Sequence, residues 1–403
     1  MRVLIVAAGT MGDVAPYTGL VPPLIEAGHT VAIAAYPRFA ELIRACGAEF
    51  RELPGDPSVR GEWTQAENSS KAARGAAGKG LELGEAILEA AKQGADVLLL
   101  SMAAQPGVHV AESLGIPSIG VFLQPLFPTS EHPPSFLGVG GSLGGWGNRA
   151  SAKAVMGVMG RLMSSTTMEL RSRLGLPTRT RAQLTEQHAS WPVLHGYSPS
   201  VLPRPADWRP GLDVCGYFWP APSTWEPSQD LLDFLADGPP PVFVGFGSRN
   251  IEDAPRIAAL VDEALGLAGV RGVVQAGWAE LAASSSRTFT VGEAPHSWLF
   301  PRMAAVVHHS GAGTTAAGLR AGVPTVGVPI LGDQPFWAGR VAALGAGPKP
   351  LPYKKLTAQR LADSIRAAVS TPSFGVRARA LSEQIAAENG AGAVVAAING
   401  LGG

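Results

Sequence analysis

The chain lacks what would tie it to nucleic acid, to an oxidising compartment or to a membrane span. Its 403 residues carry 32 Lys and Arg against 32 Asp and Glu, so there is no basic surplus to neutralise phosphate backbones, and no nucleic-acid partner is expected. Cysteine is nearly absent: Cys46 and Cys215 form neither a disulfide framework nor a metal-ligand spacing. That usage fits a reducing compartment, and the expected location is cytoplasmic. Long apolar runs are missing as well. "RVLIVAA" stops at a Gly-containing turn and "VLLLSMAA" is far shorter than the roughly 20 residues of a spanning helix. Both read as buried strands, and no integral membrane segment is expected. Two familiar nucleotide loops are also absent. No Gly-rich turn ends in Gly-Lys-Ser/Thr, and "AAGTMGD" lacks the third glycine of a dinucleotide fingerprint, while "AIAAY" ends without an acidic residue for a ribose. These gaps count against a kinase and against a dehydrogenase.

What is present is a rhythm. At 46% hydrophobic the chain can bury two cores, and its 50 glycines and 34 prolines cut it into short apolar runs alternating with helical stretches. "RVLIVAA" precedes a helical pattern over 14–27, and "TVAIAAY" one over 38–45. "ADVLLLS" and "PSIGVFL" flank another around 109–114. This is strand–helix–strand logic, which gives a parallel sheet covered by helices. A Pro- and Trp-rich stretch interrupts it, and the rhythm restarts with "PPVFVGFGS", a helix near 252–267, "RGVVQAG", "RTFTVGE", "MAAVVHHS" and "PTVGVPI". The expected fold class is α/β, with two doubly wound, Rossmann-like domains facing across a cleft. The expected division is a first domain over 1–205, a linker over 206–226, a second domain over 227–383, and a C-terminal helix over 384–403 packing back on either. The weakly patterned segment 52–79 reads as a loop at the sheet's carboxyl edge. Ligands of such sheets bind at the carboxyl ends of the strands, so the loop after each strand matters most.

Two of those loops carry chemistry. After "AAVVHH" comes Ser310-Gly311-Ala312-Gly313-Thr314-Thr315 and then a helix. The glycines allow close backbone approach, the first-turn N–H groups attract anions, and Thr314 and His309 add donors for a phosphate. A tight turn with threonine caps and a packed histidine explains the same residues structurally, at about equal weight. In "ILGDQPFWAGR", Asp333 reads first as a helix N-cap, yet Asp333 with Gln334 also suits sugar hydroxyls, since a carboxylate accepts and an amide does both. In "GTMGDVAP", Asp13 likewise reads as a capping residue until its place at the first strand's end is considered.

Taken together, "VVHHSGAGTTAAGLRAGVPTVGVPILGDQPFWAGRV" resembles the donor signature of inverting nucleotide-sugar glycosyltransferases of GT-B fold, which include sterol glucosyltransferases and bacterial antibiotic glycosyltransferases. "GTMGDVAPY", "LQPLFPTSEHPP", "DWRPGLDVCGYFW" and "VFVGFGS" extend the resemblance over nearly the whole chain. It implies that His309, Gly311, Gly313, Thr314 and Ser248 contact the donor's diphosphate and that Asp333 and Gln334 hold its sugar. It further implies that the "EAPH" loop, with Ala294 and His296, receives the base through its backbone groups. Trp278 is the candidate for stacking that base, because Glu293 stands where plant relatives carry a tryptophan. Ser310 replaces a usual glycine, and Arg249 replaces a usual apolar residue; the latter is a candidate diphosphate ligand.

The resemblance also makes Asp13 the general base, while His29 reads as a surface or capping residue. A carboxylate with an ordinary pKa near 4 needs desolvation, or acts by orienting the nucleophile. No Asp-x-Asp occurs, so neither a metal nor a cofactor beyond the UDP- or dTDP-sugar co-substrate is expected. Thr10, Gln124, Phe127 and Trp146 are candidate contacts for a hydroxylated lipophilic acceptor, in a chain acting as monomer or homodimer. The excess of Arg over Lys, with abundant Ala and Gly, leans toward bacterial natural-product tailoring. A sugar-nucleotide epimerase and a non-catalytic nucleotide-sugar binding protein remain the alternatives.

Overall fold

The computed structural model describes residues 1–56, 69–222, 224–246, 254–276 and 285–402. The first sheet consists of β1 (Arg2–Val6), β2 (Thr30–Ala35), β3 (Glu49–Glu52), β4 (Val97–Leu100), β5 (Ser118–Phe122), β6 (Val193–His195) and β7 (Leu212–Val214). These pair in parallel in the order β3-β2-β1-β4-β5-β6-β7. Parallel strands need crossovers, and they are supplied by α1 (Met11–Thr18), α2 (Val21–Glu26), α3 (Ala40–Ala45), α4 (Ser69–Lys92), α5 (Gly107–Leu114), α6 (Gly144–Arg173) and α7 (Arg181–Ser190). Covered on both faces, β1 and β4 are buried through Val3–Val6 and Val97–Leu100, which is why they read as unbroken apolar runs.

The second sheet is β8 (Val242–Gly245), β9 (Gly272–Gln275), β10 (Thr288–Val291), β11 (Ala305–His308) and β12 (Thr325–Gly327), in the parallel order β10-β9-β8-β11-β12. Around it lie α8 (Gln229–Ala236), α9 (Ala254–Ala268), α10 (His296–Leu299), α11 (Ala312–Arg320), α12 (Gln334–Ala343) and α13 (Ala358–Ser370). The chain ends in α14 (Pro372–Ala386) and α15 (Gly390–Asn399). No helix among the described residues is long and apolar enough to cross a membrane.

Four expectations change. Leu212–Val214, expected within the linker, is the seventh strand of the first sheet, with Leu212 buried; the connection starts after it. The pattern over 14–27 is two helices, broken at Gly19, where a Cβ would lie 1.5 Å from the Trp219 carbonyl oxygen. The segment expected as a loop over 52–79 already enters α4 at Ser69. The C-terminal helix expected over 384–403 is α15, preceded by α14, whose last turn crosses that boundary.

The tail packs on the first domain. Val394 and Ile398 of α15 join the core that holds β1 and β4. His29 is buried rather than on the surface, its Nε2 lying 2.9 Å from the Asn399 carboxamide oxygen. Between α14 and α15, the Glu388 carboxylate accepts hydrogen bonds from the Ser198 and Ser200 hydroxyls at 2.6 and 2.9 Å.

Candidate active site

In each sheet the strand order reverses once, between β1 and β4 and between β8 and β11. Such switch points open crevices at the carboxyl ends of the strands. The loop after β1 carries Gly9 and Thr10, with Asp13 in the first helical turn beyond it, and the loop after β11 carries His309 to Gly311. The helices that follow, α1 and α11, pack against each other. The two constellations therefore share one crevice.

Asp13 is half-buried at the third position of α1, and its Oδ2 accepts from the Thr10 backbone N–H at 2.9 Å and from the Thr10 hydroxyl at 2.8 Å. This is the reaching-back half of a capping box, so Asp13 is not itself the N-cap. Both bonds fall on one oxygen, and no described residue bonds the other. Gly9 makes this possible. With φ at 149°, a Cβ there would sit 2.5 Å from Oδ2. The helix is pinned from below by the buried Tyr17 hydroxyl, which donates to the Val121 carbonyl of β5 at 2.6 Å. The Thr10 hydroxyl, expected at the acceptor, is instead spent on Asp13.

The paired histidines divide their labour. His308 is fully buried, its Nδ1 accepts the Ser310 backbone N–H at 2.9 Å, and burial pushes its pKa well below the usual value, so it is neutral. Ser310 takes φ of 64° and is the one described non-glycine residue with positive φ, which explains why glycine is the common residue at such a turn. The bend leaves His309 half-buried at the crevice, its imidazole lying over the next glycine: a Cβ at Gly311 would be 2.6 Å from Nε2. Gly311 is the N-cap of α11, so the N–H groups of Ala312, Gly313 and Thr314 have no carbonyl within the helix. His309, Gly311, Gly313 and Thr314 thus form one anion-attracting turn.

Asp333 occupies the N-cap position of α12 without a capping bond; its carboxylate accepts the Trp337 indole N–H at 2.9 Å. Gln334 is buried, and its Oε1 accepts from the Ile330 and Leu331 backbone N–H groups at 2.8 and 3.2 Å. Its oxygen shapes its own loop, so only its amide N–H groups are left to meet a ligand, not the two-way contact expected. The His296 ring stacks on Phe300 at 4.2 Å and meets Phe243 edge-on, and burial holds its pKa at about 4. Its side chain is thus packing, and Ala294 is half-buried against the same cluster. Ser248, Arg249 and Trp278 lie outside the described residues.

On the acceptor side, Gln124 is half-buried just after β5. The Phe127 ring, expected to line a pocket, packs among Phe122, His195 and Trp208 at 5.8 to 6.2 Å. Trp146, in the first turn of α6, is 87% exposed, with Phe136 and Leu137 also exposed nearby in sequence. One organiser had no obvious signal. The Asp207 carboxylate accepts from the Thr129 hydroxyl, the Ser130 backbone and hydroxyl, and Arg149, and so pins this loop from "DWRPGLD".

Two family models match the chain. Residues 3–133 match the glycosyltransferase family 28 N-terminal domain, and residues 279–401 match the erythromycin biosynthesis protein CIII-like C-terminal domain. A sterol 3-beta-glucosyltransferase of Arabidopsis thaliana is 33% identical over 422 residues, covering 99% of this chain and 68% of the plant protein. One from Neurospora crassa is 33% identical over 431 residues, but there the chain spans only 27% of the fungal protein's length. Among solved structures, the glycotransferase of kitacinnamycin superposes with a TM-score of 0.75 at 18% identity, covering 99% of this chain and 98% of that one. The calicheamicin glycosyltransferase CalG4 gives 0.73 at 18% identity, covering 99% and 97%. SsfS6 from Streptomyces sp. SF2575, complexed with thymidine diphosphate, gives 0.63 at 22% identity and 99% of both chains. At these identities the structures speak for the fold, and the relatives at one-third identity speak for the family. The chain belongs to the UDP-glycosyltransferase-like enzymes of GT-B fold, which move a sugar from a nucleotide sugar.

Proposed function

We propose that this chain transfers a hexose from a UDP- or dTDP-sugar, UDP-glucose first among them, to a hydroxyl of a lipophilic small molecule, with inversion and without a metal. The observation that carries this is the shared crevice: α1 brings Asp13, and α11, packed against it, brings the His309–Thr314 turn. With Oδ2 held by Thr10, Oδ1 of Asp13 is the atom that takes the acceptor's hydroxyl proton. The hydroxyl oxygen attacks the anomeric carbon from the face opposite the nucleotide. The bond to the diphosphate oxygen breaks, and its electron pair leaves with the nucleoside diphosphate. His309, Thr314 and the first-turn N–H groups of α11 stabilise that charge. Asp333 and the Gln334 amide hold the sugar's hydroxyls. Relatives named for sterols favour a rigid lipophilic alcohol as acceptor, and the exposed Trp146, Phe136 and Leu137 suit one. The antibiotic-glycosylating fold neighbours keep polyketide and macrocyclic alcohols of bacterial natural-product tailoring as the second class.

Purified protein is to be assayed with UDP-glucose and dTDP-glucose in EDTA, against sterols and polyketide alcohols. Nucleotide release that requires an acceptor, survives EDTA and yields a β-glucoside is the expected result. A changed sugar formed without any acceptor would instead favour the epimerase.

The diphosphate turn has its own test. At Gly311, φ of −61° suits any residue, so alanine there should fold normally while its Cβ pushes the His309 ring aside. UDP affinity by calorimetry is expected to fall roughly ten- to hundredfold, the loss of one charge-assisted hydrogen bond, with the melting temperature unchanged. Unchanged UDP affinity would remove His309 from the diphosphate site.

A further inference from the structure

The helix that carries Asp333 and Gln334 is packed largely by the other domain. Phe336, Trp337 and Val341 of α12 belong to the buried core that contains β1, β4 and β5. The His132 ring, in the loop after β5, meets Phe336 edge-on at 5.4 Å. Gly339 and Gly140 approach so closely that a Cβ at Gly339 would lie 2.3 Å from the Gly140 carbonyl oxygen. Arg340 donates to the Val201 carbonyl of the loop after β6. In the middle stands Trp337, 1% exposed, its ring lying edge-on to Tyr197 of the first domain with centroids 6.1 Å apart.

An aspartate at an N-cap normally accepts the backbone N–H of the second or third helical residue. Here the second is Pro335, which has no N–H, and the third is Phe336. Asp333 makes no such bond because its own backbone is helical, φ −80° and ψ −8°, not extended; the Trp337 indole N–H, one turn on, gives its carboxylate a hydrogen bond of 2.9 Å.

We propose that Trp337 is a positioning residue for donor-sugar recognition: its indole N–H holds the Asp333 carboxylate in sugar-reading orientation, and Tyr197 of the first domain braces the ring. The inference rests on the proposed sugar-binding role of Asp333. Through it the acceptor domain sets the geometry of a donor residue in the other domain. An Asp at this position is then insufficient by itself, because a partner four residues on decides which way it points.

Trp337→Phe keeps an aromatic ring but loses the indole N–H together with part of the buried bicycle. UDP-glucose affinity, by calorimetry and as KM, is expected to weaken about tenfold, while affinity for UDP, which lacks the sugar, stays within about twofold. In an Asp333→Ala background, Trp337→Phe should add no further loss, since it acts only through the carboxylate. Equal weakening of UDP and UDP-glucose, or a full additive loss in that background, would overturn the proposal and leave Trp337 as packing. Unchanged UDP-glucose affinity in Trp337→Phe, with Asp333→Ala weakened, would overturn it while sparing the sugar site. No effect of Asp333→Ala would instead remove the sugar-binding role itself, and the proposal with it. Should Trp337→Phe fold poorly, Tyr197→Leu removes only the brace, and a smaller sugar-specific loss is expected; equal losses for UDP and UDP-glucose there would count against the proposal.

Discussion

Asp13→Asn is expected to lower kcat at least a hundredfold, within the roughly hundred- to ten-thousand-fold range of general-base assistance. Asparagine is nearly isosteric, and its carbonyl oxygen can accept the two bonds that Thr10 now gives to Oδ2, so the start of α1 keeps its partner. What changes is the outward atom. An oxygen able to take a proton becomes an amide nitrogen that only donates. UDP affinity should stay within about twofold, because the diphosphate turn on α11 is untouched, and the melting temperature should hold. Asp13→Ala should show the same loss of rate together with a helix destabilised by about 1 kcal/mol for the missing capping partner. A normal kcat in Asp13→Asn, measured with saturating acceptor, would falsify the base assignment and reduce Asp13 to the helix-end residue its sequence context also allows.

The sheet strands are legible because they are buried on both faces, so "RVLIVAA" and "VLLL" need no alternation to be recognised. The turn proposed for the diphosphate is legible because glycines and a strand-end histidine cluster within a few residues. What escaped depends on distant partners. Gly80 and Gly84 of α4 face α6: a Cβ at Gly84 would meet Leu170 at 2.6 Å, and one at Gly80 would meet Met163 at 3.0 Å. Nothing local distinguishes such a packing glycine from a turn glycine. Position 19 has room only for glycine because the Trp219 carbonyl, 200 positions along, passes beside it. Phe127 has the type of a ligand-lining residue, but its ring is drawn into aromatic packing that one-dimensional order does not reveal. Trp337 has no signal of its own in the motif, since its hydrogen bond to Asp333 and its contact with Tyr197 exist only in the folded chain.

The largest expected loss of stability lies away from the crevice, at Glu112. Arg171, 1% exposed, gives its carboxylate two hydrogen bonds, at 2.7 and 3.1 Å, and Arg179 and Gln187 give one each at 2.8 and 3.0 Å. This knot ties α5, α6 and α7 together. Glu112→Leu leaves Arg171 buried without its counter-charge, which costs about 3 to 5 kcal/mol, whereas Arg171→Met leaves Glu112 with Arg179 and Gln187 and should cost less. If the first domain melts as a unit, the former corresponds to a drop of roughly 6 to 20 °C in its transition. UDP binding by the second domain should persist at temperatures below that transition. The pH dependence has a definite sign. Chiefly through the Arg171 hydrogen bond, the Glu112 pKa falls from 4.5 to about 2, so its contribution is full above pH 4.5 and disappears as pH falls toward 2. Burial, then the charge of Arg171, lowers the neighbouring His109 from 6.5 to about 4, so its share is already being lost between pH 6.5 and 4. Wild type should therefore soften in two acid steps, the upper from histidine and the lower from Glu112 together with Asp207 and Asp96, whose pKa values are also lowered. Glu112→Leu should shrink the lower step, and thermal melts from pH 7 to pH 3 read both. A lower step of undiminished size in Glu112→Leu would assign it to the other carboxylates and separate the knot from the acid sensitivity of the fold.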